Sequence, residues 1–160
     1  MLKRLMLIAP VVWVFCAGTV HADNGWEAAI LVSAGNTEQR LSIGVRKDAL
    51  DGTDGRYDVP ALFTDESDFR SYISIEDAQY WRDIKADCSQ KSCVKTWDIF
   101  VESLSEGAPV RLTWDPGSLP KRIEVFLTDA ITGGRIDMKK QSSCTFEGGG
   151  KRLLRVEVQE

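Results

Sequence analysis

The chain has 160 residues and a formal charge of −4, from 20 lysines and arginines against 24 aspartates and glutamates. A net acidic protein without a dense run of basic residues is a poor candidate for binding nucleic acid or an anionic membrane surface. The only histidine is His21, so most of the chain lacks the usual general base, the most common metal ligand and the side chain that titrates near neutral pH.

Residues 1–22 have the pattern of a cleavable export signal. Two basic residues precede an apolar run from Leu5 to Val20. The segment ends in Val-His-Ala, which places small residues at the positions that a signal peptidase recognises. We predict cleavage after Ala22 and a single domain over residues 23–160, located in the periplasm or secreted. The alternative is an uncleaved membrane anchor, but this run is shorter than the roughly 20 residues needed to span a bilayer.

Two segments near the start of the predicted mature chain have strand periodicity. Apolar residues occupy every second position in Trp26–Val32 and again in Leu41–Val45. This alternation is typical of a strand with one buried face. Gly35-Asn36-Thr37 lies between the segments and has the residue types of a turn. The sequence therefore predicts a first antiparallel hairpin.

An acidic loop follows, at the start of the longest irregular connection, residues 48–67. Extracellular calcium is bound by oxygen ligands on flexible acidic loops, which makes several of these aspartates candidate ligands. The spacing does not fit an EF-hand, and aspartate and glycine are also ordinary turn residues whose carboxylates cap backbone N–H groups. Both interpretations stay open. The candidate calcium ligands are Asp51, Asp54 and Asp58, with Asp48 beside them.

The next segments contain the aromatic residues most suited to ligand contact. Phe69–Ile75 is rich in strand-forming residues, and Tyr80–Lys85 is a further strand candidate. Adjacent strand residues point to opposite faces, so one member of the pair Tyr80-Trp81 should be exposed. The candidate contacts for a carbohydrate or protein are therefore Tyr57, Tyr72 and Trp81.

Three cysteines lie beyond the predicted signal: Cys88, Cys93 and Cys144. In an exported chain a disulfide is their leading use, and Cys88 with Cys93 is the pair that closes a small loop at the tip of a hairpin. Pairing of either one with Cys144 stays open, because sequence does not fix connectivity. The remaining thiol is expected to be buried and inert, and a structural metal site is the less favoured alternative, since no histidine accompanies the cysteines.

The last part of the chain repeats the strand pattern. Turn residues separate the segments, and Asp115-Pro116-Gly117 predicts a type II turn with a positive φ at Gly117. Helix should be minor, with Ser74–Ala78 the most suitable place for one turn of it. Many short strands with such turns predict an all-β fold, an antiparallel two-sheet β-sandwich. Apolar alternation occurs in Trp97–Val101, Val110–Trp114, Ile123–Leu127 and Leu154–Val158.

The order of these segments resembles the immunoglobulin-like modules near the C-termini of secreted bacterial surface proteins, which are related in pattern to flagellar-hook-capping and secretion-sorting sandwiches. The elements that carry the resemblance are W-D-I-F-V, V-R-L-T-W, V-F-L-T-D and L-R-V-E-V, with G-W-E-A-A-I and D-G-T-D-G-R-Y-D-V-P in the earlier half. They are mainly turn and core residues. The resemblance therefore implies an immunoglobulin-like fold more than a particular function.

Catalytic motifs are scarce. Asp129 and Asp137 bracket Thr132-Gly133-Gly134, and paired carboxylates can hydrolyse glycosides, but the resemblance implies that Asp129 and Thr132 satisfy turn amides. No G-x-S-x-G motif occurs, and no histidine is available to activate a serine or cysteine. Trp26, Trp97 and Trp114 are in phase with aliphatic strand residues and are expected in the core.

We therefore expect an exported, non-catalytic interaction or structural module of a bacterial envelope or extracellular assembly, without nucleic acid and without membrane insertion after cleavage. Recognition is expected at loops or at an unpaired sheet edge. A calcium-dependent carbohydrate-binding module is the alternative from another class. The sequence does not identify the partner or the oligomeric state.

Overall fold

The computed structural model describes residues 25–64, 67–88 and 93–159. The predicted signal peptide, residues 1–22, lies outside the described residues. The described residues form strands and one turn of 3-10 helix, Pro116–Ser118, and contain no α-helix, so the all-β prediction is confirmed. The strands are β1 (Trp26–Ala34), β2 (Thr37–Arg46), β3 (Val59–Pro60), β4 (Phe69–Ile75), β5 (Ala78–Ala86), β6 (Val94–Ser103), β7 (Pro109–Trp114), β8 (Glu124–Asp129), β9 (Arg135–Asp137), β10 (Ser143–Glu147) and β11 (Gly150–Gln159).

All of these strands belong to one hydrogen-bonded sheet in the order β10-β7-β1-β2-β5-β4-β6-β11-β8-β9, and β3 pairs with β5. The pairs are antiparallel except for β2 and β5, which run parallel. The predicted antiparallel two-sheet sandwich is therefore not confirmed, since the described strands form one mixed sheet. Alternation along a strand reports which face is buried, but it does not report which strand lies alongside.

The sheet rolls around a single core. Ile30 and Leu112 come from strands near one end of the sheet, and Leu127 and Val156 come from strands near the other end. All four are buried in the same apolar cluster, which requires the inward face of the sheet to curve around it. The two ends of the sheet, β10 and β9, are brought near each other by this curvature.

The predicted core tryptophans lie in or against this cluster. Trp97 and Trp114 are buried, and their indole N–H groups donate to the carbonyls of Asp83 at 3.2 Å and Met138 at 2.8 Å. Trp26 is half-buried and contacts Trp97 edge to face. The indole N–H groups of Trp97 and Trp114 therefore have acceptors, whereas that of Trp26 is buried without an acceptor among the described residues.

The first predicted hairpin is confirmed, with Ala34 opposite Thr37 and a positive φ at Gly35. The helical turn predicted over Ser74–Ala78 is wrong. Glu76 and Asp77 both have positive φ, at 49° and 66°, and form the two-residue turn between β4 and β5. Positive φ at both central positions is the requirement of a type I′ hairpin turn, which is usually supplied by asparagine and glycine.

The turn predicted at Asp115-Pro116-Gly117 also takes another form. Gly117 does not have a positive φ, and the segment is a turn of 3-10 helix. The Asp115 carboxylate accepts the N–H of Gly117 at 2.8 Å, so Asp115 caps the turn and Pro116 occupies its first position. Both residue types favour a helical start as much as a type II turn.

Cys88 and Cys93 form a disulfide, with their Cα atoms 5.9 Å apart, between the end of β5 and the start of β6. This is the favoured pairing among those that the sequence leaves open. Cys144 is half-buried and is the free thiol of the described part of the chain. Within residues 25–64, 67–88 and 93–159, no helix is long and apolar enough to cross a membrane.

Candidate functional site

The buried aspartates of the acidic loop bind backbone groups. Asp54 accepts the N–H groups of Leu50 at 3.2 Å and Arg56 at 2.9 Å. Asp58 accepts the N–H of Asp54 at 2.6 Å and that of Ile84, on β5, at 3.0 Å. These two carboxylates therefore hold the loop together and fix it to the sheet.

The exposed aspartates of the loop have cationic partners instead. Asp48 lies 2.8 Å from the guanidinium of Arg56, and Asp51 lies 2.6 Å from the ammonium of Lys95. The structure thus brings Asp54 and Asp58 together and directs Asp51 to a lysine. In the part of the chain that the structure describes, no three acidic, cysteine or histidine side chains are grouped to hold a metal ion.

The predicted contact residues lie in two places, and Tyr57 is in the acidic loop. Its ring lies beneath the guanidinium groups of Arg46 and Arg56, at 5.7 and 4.9 Å from the ring centre. Its hydroxyl donates to Asp48 at 2.7 Å, and this hydrogen bond raises the pKa of Tyr57 above its ordinary value. Tyr57 is therefore part of a charged surface network.

Tyr72 and Trp81 share a neighbour, since both contact the ring of Phe63 edge to face. Tyr72 is only 3% exposed and stacks on Phe100, with ring centres 5.5 Å apart. Its hydroxyl donates to Glu102 at 2.7 Å. Tyr72 is therefore packed against other aromatic rings and has almost no exposed surface for a ligand, whereas Trp81 is partly exposed.

A cleft opens where the two ends of the rolled sheet face each other, and we call it the edge cleft. Its volume is about 320 Å³, which lies at the lower end of the roughly 300–1,000 Å³ typical of ligand sites. Strand alternation positions the lining: Cys144 and Phe146 lie opposite Leu112 and Val110 of β7, so they share the inward face. The apolar lining is Leu127, Ile136, Phe146 and Leu154.

The backbone on both sides of the edge cleft is unpaired. β9 is hydrogen-bonded to β8 and β10 to β7, and within the described residues no backbone hydrogen bond joins β9 to β10. Each of these strands therefore presents one row of N–H and C=O groups toward the opening. Such rows are available to pair with another extended chain.

Arg152 and Asp129 form an ion pair inside the edge cleft. A guanidinium nitrogen of Arg152 lies 2.9 Å from the Asp129 carboxylate, and both side chains are 17% exposed. The guanidinium also lies over the ring of Phe146, at 4.3 Å from its centre. The Nε–H of Arg152 is buried and has no hydrogen-bond acceptor among the described residues. Arg152 therefore retains an unused donor at an apolar site.

Burial by itself raises the pKa of Asp129, but the N–H of Ile131, the hydroxyl of Thr132 and Arg152 together bring it below its ordinary value. Asp129 is therefore a stable carboxylate at neutral pH. Burial, followed by the charge of Asp129, raises the pKa of the Cys144 thiol to about 11, so this thiol is neutral.

Comparisons with known protein families, with curated proteins and with solved structures find no match to this chain.

The two carboxylates considered for glycoside hydrolysis occupy separate turns. Asp129 accepts the N–H of Ile131 at 2.9 Å, a turn amide as the resemblance implies, and it also accepts the hydroxyl of Thr132 at 3.0 Å. Asp137 accepts the N–H of Lys139 at 3.0 Å, in the turn after β9. Both carboxylates therefore stabilise local turns.

Arg152 is not among the residues predicted from the sequence, although the sequence contains a signal for it. Leu154, Val156 and Val158 occupy the inward positions of β11. Arg152 lies two residues before Leu154, so it also has an inward position. A charged residue in the apolar phase of a strand is uncommon unless it has a partner or a function. Its partner Asp129 lies on another strand, which the local pattern does not show.

Proposed function

We propose that this protein is an exported, non-catalytic interaction module and that it binds its partner at the edge cleft. The observation that carries the proposal is an apolar cavity between two strands whose facing backbone edges are both unpaired. Edge strands with free N–H and C=O groups are common acceptors for an extended segment of a second protein.

The chemistry of the cleft supports binding more than catalysis. The Cys144 thiol is neutral at physiological pH because its pKa is about 11, so it is a poor nucleophile. The Asp129 carboxylate is occupied by three donors, which lower its basicity. A neutral thiol and a saturated carboxylate provide neither an activated nucleophile nor a general base.

The Cys88–Cys93 disulfide supports an oxidising compartment, the periplasm or the extracellular space. An envelope or extracellular assembly is therefore the proposed setting. The proposal includes a relationship of this chain to immunoglobulin-like modules. The all-β fold and the strands that bury alternate residues support it.

The test compares partners retained by three forms of residues 23–160 from the envelope and medium of the source organism. Cys144→Phe places a ring inside the edge cleft, and Arg111→Phe places the same ring on an exposed residue of β7 outside it. We expect one or more proteins to be retained by the unmodified chain and by Arg111→Phe but lost with Cys144→Phe. Equal retention by all three forms, with equal thermal stability, would exclude the edge cleft as the binding site.

The calcium-dependent carbohydrate-binding module is the alternative proposal, supported by the occurrence of Asp51, Asp54 and Asp58 in one acidic loop. A cation that binds the native state alone must raise the melting temperature. A rise with millimolar calcium that is reversed by chelator and lost with Asp51→Asn would favour this alternative. An unchanged melting temperature would remove it.

A further inference from the structure

The free edge of β10 determines which kind of segment the edge cleft accepts. We infer that the occupant is a short, extended and uncharged segment of the partner, which pairs with the β10 backbone and directs two apolar side chains, two residues apart, into the cavity. This inference rests on the proposed function and names the chemistry of the partner's segment.

The hydrogen bonds between β10 and β7 show which backbone groups of β10 are free. Just before β10, Trp114 N donates to the Ser142 carbonyl at 2.9 Å. Opposed residues of antiparallel strands alternate between pairs that exchange hydrogen bonds and pairs that do not. In the observed register, Cys144 and Phe146 therefore direct their backbone groups to β7. The alternate residues, whose N–H and C=O groups point into the edge cleft, are Ser143, Thr145 and Glu147.

Three further observations agree with this assignment of the free groups. After β10, Gly148 N donates to the Ala108 carbonyl at 2.7 Å, which continues the same alternation. The Glu147 carbonyl accepts from a guanidinium nitrogen of Arg152 at 3.5 Å, and Arg152 lines the edge cleft. Pro109 lacks an N–H and lies opposite Glu147, at a position where no hydrogen bond to β10 is required. The edge cleft therefore faces a regular strand edge.

The facing edge of β9 offers fewer groups. Met138 N donates to the Val125 carbonyl at 2.9 Å, so the same alternation directs the backbone groups of Arg135 and Asp137 away from β8. The Asp137 carbonyl is already used by two N–H groups of the turn after β9. β10 is therefore the main edge for an incoming segment, and Arg135 supplies a further N–H and C=O on the opposite side.

A segment paired with β10 presents alternate side chains to the cavity. Opposed residues on adjacent strands have their side chains on the same face of the sheet. Because Cys144 and Phe146 point inward, the two segment residues opposite them point inward as well, against the aliphatic lining of the cavity. The residue opposite Thr145 points outward to solvent. Apolar side chains at the two inward positions gain hydrophobic free energy on burial.

The electrostatics of the edge cleft favour uncharged residues at the inward positions. The Arg135 guanidinium lies 3.8 Å from the centre of the Phe126 ring, on the outer face of the sheet. Inside, Arg152 and Asp129 neutralise each other at 2.9 Å, and the Cys144 thiol is neutral. A charged side chain that enters the cavity loses its hydration and finds no unpaired opposite charge.

The chain closes both ends of the edge cleft and limits the length of the segment. Residues 138–142 cross from β9 to β10 at one end, and Gly148-Gly149 connect β10 to β11 at the other. Between these crossings β10 has five residues, about 17 Å of extended chain. The inserted part of the partner is therefore about five residues long, and the flanking parts leave the cleft on its outer side.

The experiment uses residues 23–160 labelled with ¹⁵N and pentapeptides that are acetylated and amidated, so that they have no terminal charge. The reference peptide is Thr-Val-Thr-Val-Thr, whose valines share one face of a strand. Thr-Thr-Val-Val-Thr has the same composition with its valines on opposite faces. Two charged peptides replace both valines by aspartate or by lysine. A further peptide is the reference with an N-methyl group on its central threonine.

We expect the reference peptide to bind and to slow hydrogen exchange at the N–H groups of Ser143 and Thr145. The N–H groups of Cys144 and Phe146 should change little, because they are already bonded to β7. The four altered peptides should bind at least about tenfold more weakly, since each loses apolar burial, adds a desolvated charge or lacks the central N–H.

A matched pair of variants tests the β10 edge itself. Thr145→Pro removes an N–H that points into the edge cleft and leaves the hydrogen bonds to β7 in place, so it should abolish binding of the reference peptide. Thr145→Val keeps this N–H at the same exposed position and should retain binding. The N-methylated peptide on the unmodified chain answers the same question if Thr145→Pro fails to fold.

No binding of any peptide, equal affinity of the reference and any altered peptide, or new exchange protection at Cys144 and Phe146 instead of Ser143 and Thr145 would overturn the inference. Failure of the proposed function is distinct, because it is judged by the retained partners. A partner that is lost with Cys144→Phe and kept with folded Thr145→Pro would preserve the edge cleft as a binding site and reject pairing with β10.

Discussion

Asp83, on β5, is a buried carboxylate. Its side chain is 1% exposed, and neither carboxylate oxygen accepts a hydrogen bond within the described residues. The ammonium of Lys85 lies 3.2 Å from one oxygen, as an ion pair without hydrogen-bond geometry. Burial raises the pKa of Asp83 to about 6 against the opposing effect of Lys85, and the charges of Asp58 and Asp51 raise it further.

This raised pKa predicts a specific pH dependence of stability. The folded state binds the Asp83 proton more tightly than the unfolded state, so this stabilisation is fully present below the ordinary pKa of 3.8 and is lost as the pH rises through about 6. An asparagine side chain does not titrate, so the stability of Asp83→Asn does not fall for this reason as the pH rises. We expect the stability of Asp83→Asn relative to the unmodified chain to increase by roughly 3 kcal/mol between pH 3.5 and pH 7.

Urea unfolding at several pH values measures this difference. Lys85→Met is the companion variant, because removal of the cation should raise the pKa of Asp83 further, as measured by carboxyl ¹³C titration. A constant difference between Asp83→Asn and the unmodified chain across this range would show that Asp83 has the same pKa in both states.

Single residues also show where sequence reasoning stops. The acidic loop was recognised from composition, but whether Asp58 serves calcium or the backbone depends on Ile84, which is 26 residues away. Tyr72 is a candidate contact residue in the sequence, but it is buried in the structure. Its burial depends on Phe63 and Phe100, which lie on different elements. Neither the contact of Asp58 with Ile84 nor the packing of Tyr72 can be read from the neighbouring residues in the sequence.

At the scale of elements, alternation and strand-forming residue types predict the long strands, whereas the shortest strands are too short to show either signal. β1, β2, β4 and β11 each bury every second residue over several positions, which makes their period visible. β9 has three residues and β3 has two, too few to establish a period. The edge cleft is flanked by β9, so part of the site lies in an element without a sequence signal.

The β4–β5 turn provides a prediction at this scale. Glu76 and Asp77 both hold positive φ, a conformation that costs residues with a Cβ about 1 kcal/mol or more each. Replacement by the pair favoured in type I′ turns, Glu76→Asn with Asp77→Gly, should raise the free energy of unfolding by about 1 kcal/mol. Thermal and urea unfolding measure the change.

Gly35→Ala is the matched control for this turn. Gly35 has a φ of 56° in the β1–β2 turn, and a Cβ there would meet no atom within 4 Å, so its cost is conformational alone. We expect a loss of roughly 1 kcal/mol. Destabilisation by the Asn-Gly pair would contradict the type I′ assignment, and the Gly35→Ala value calibrates the expected size.

At the scale of the whole molecule, the disulfide ties together strands that are not neighbours. β5 and β6 lie on either side of β4 in the sheet, and Cys88–Cys93 joins them across a loop of six residues. Loop-closure entropy predicts that Cys88→Ser with Cys93→Ser lowers the free energy of unfolding by about 2 kcal/mol. Unfolding of the unmodified chain with and without reductant provides a second measurement, and agreement of the two losses is the expected result.

The whole-molecule arrangement is also what the sequence predicted least. An all-β domain followed from strand patterns and turns, and it is confirmed. The single rolled sheet did not follow, because strand order depends on pairings such as β1 with β7, where Ile30 lies opposite Trp114. The edge cleft exists only because both ends of that sheet converge, so no local motif encodes it.

The pairing of β1 with β7 also constrains how the molecule reaches its native state. The first hairpin can form early from nearby residues, yet its outer neighbour β7 begins more than sixty residues after the hairpin ends. Contacts between such distant positions make a chain slow to fold, because a large loop must close before they contribute. Fragments that end before β7 lack this outer neighbour of β1, and we expect them to be degraded rather than to accumulate.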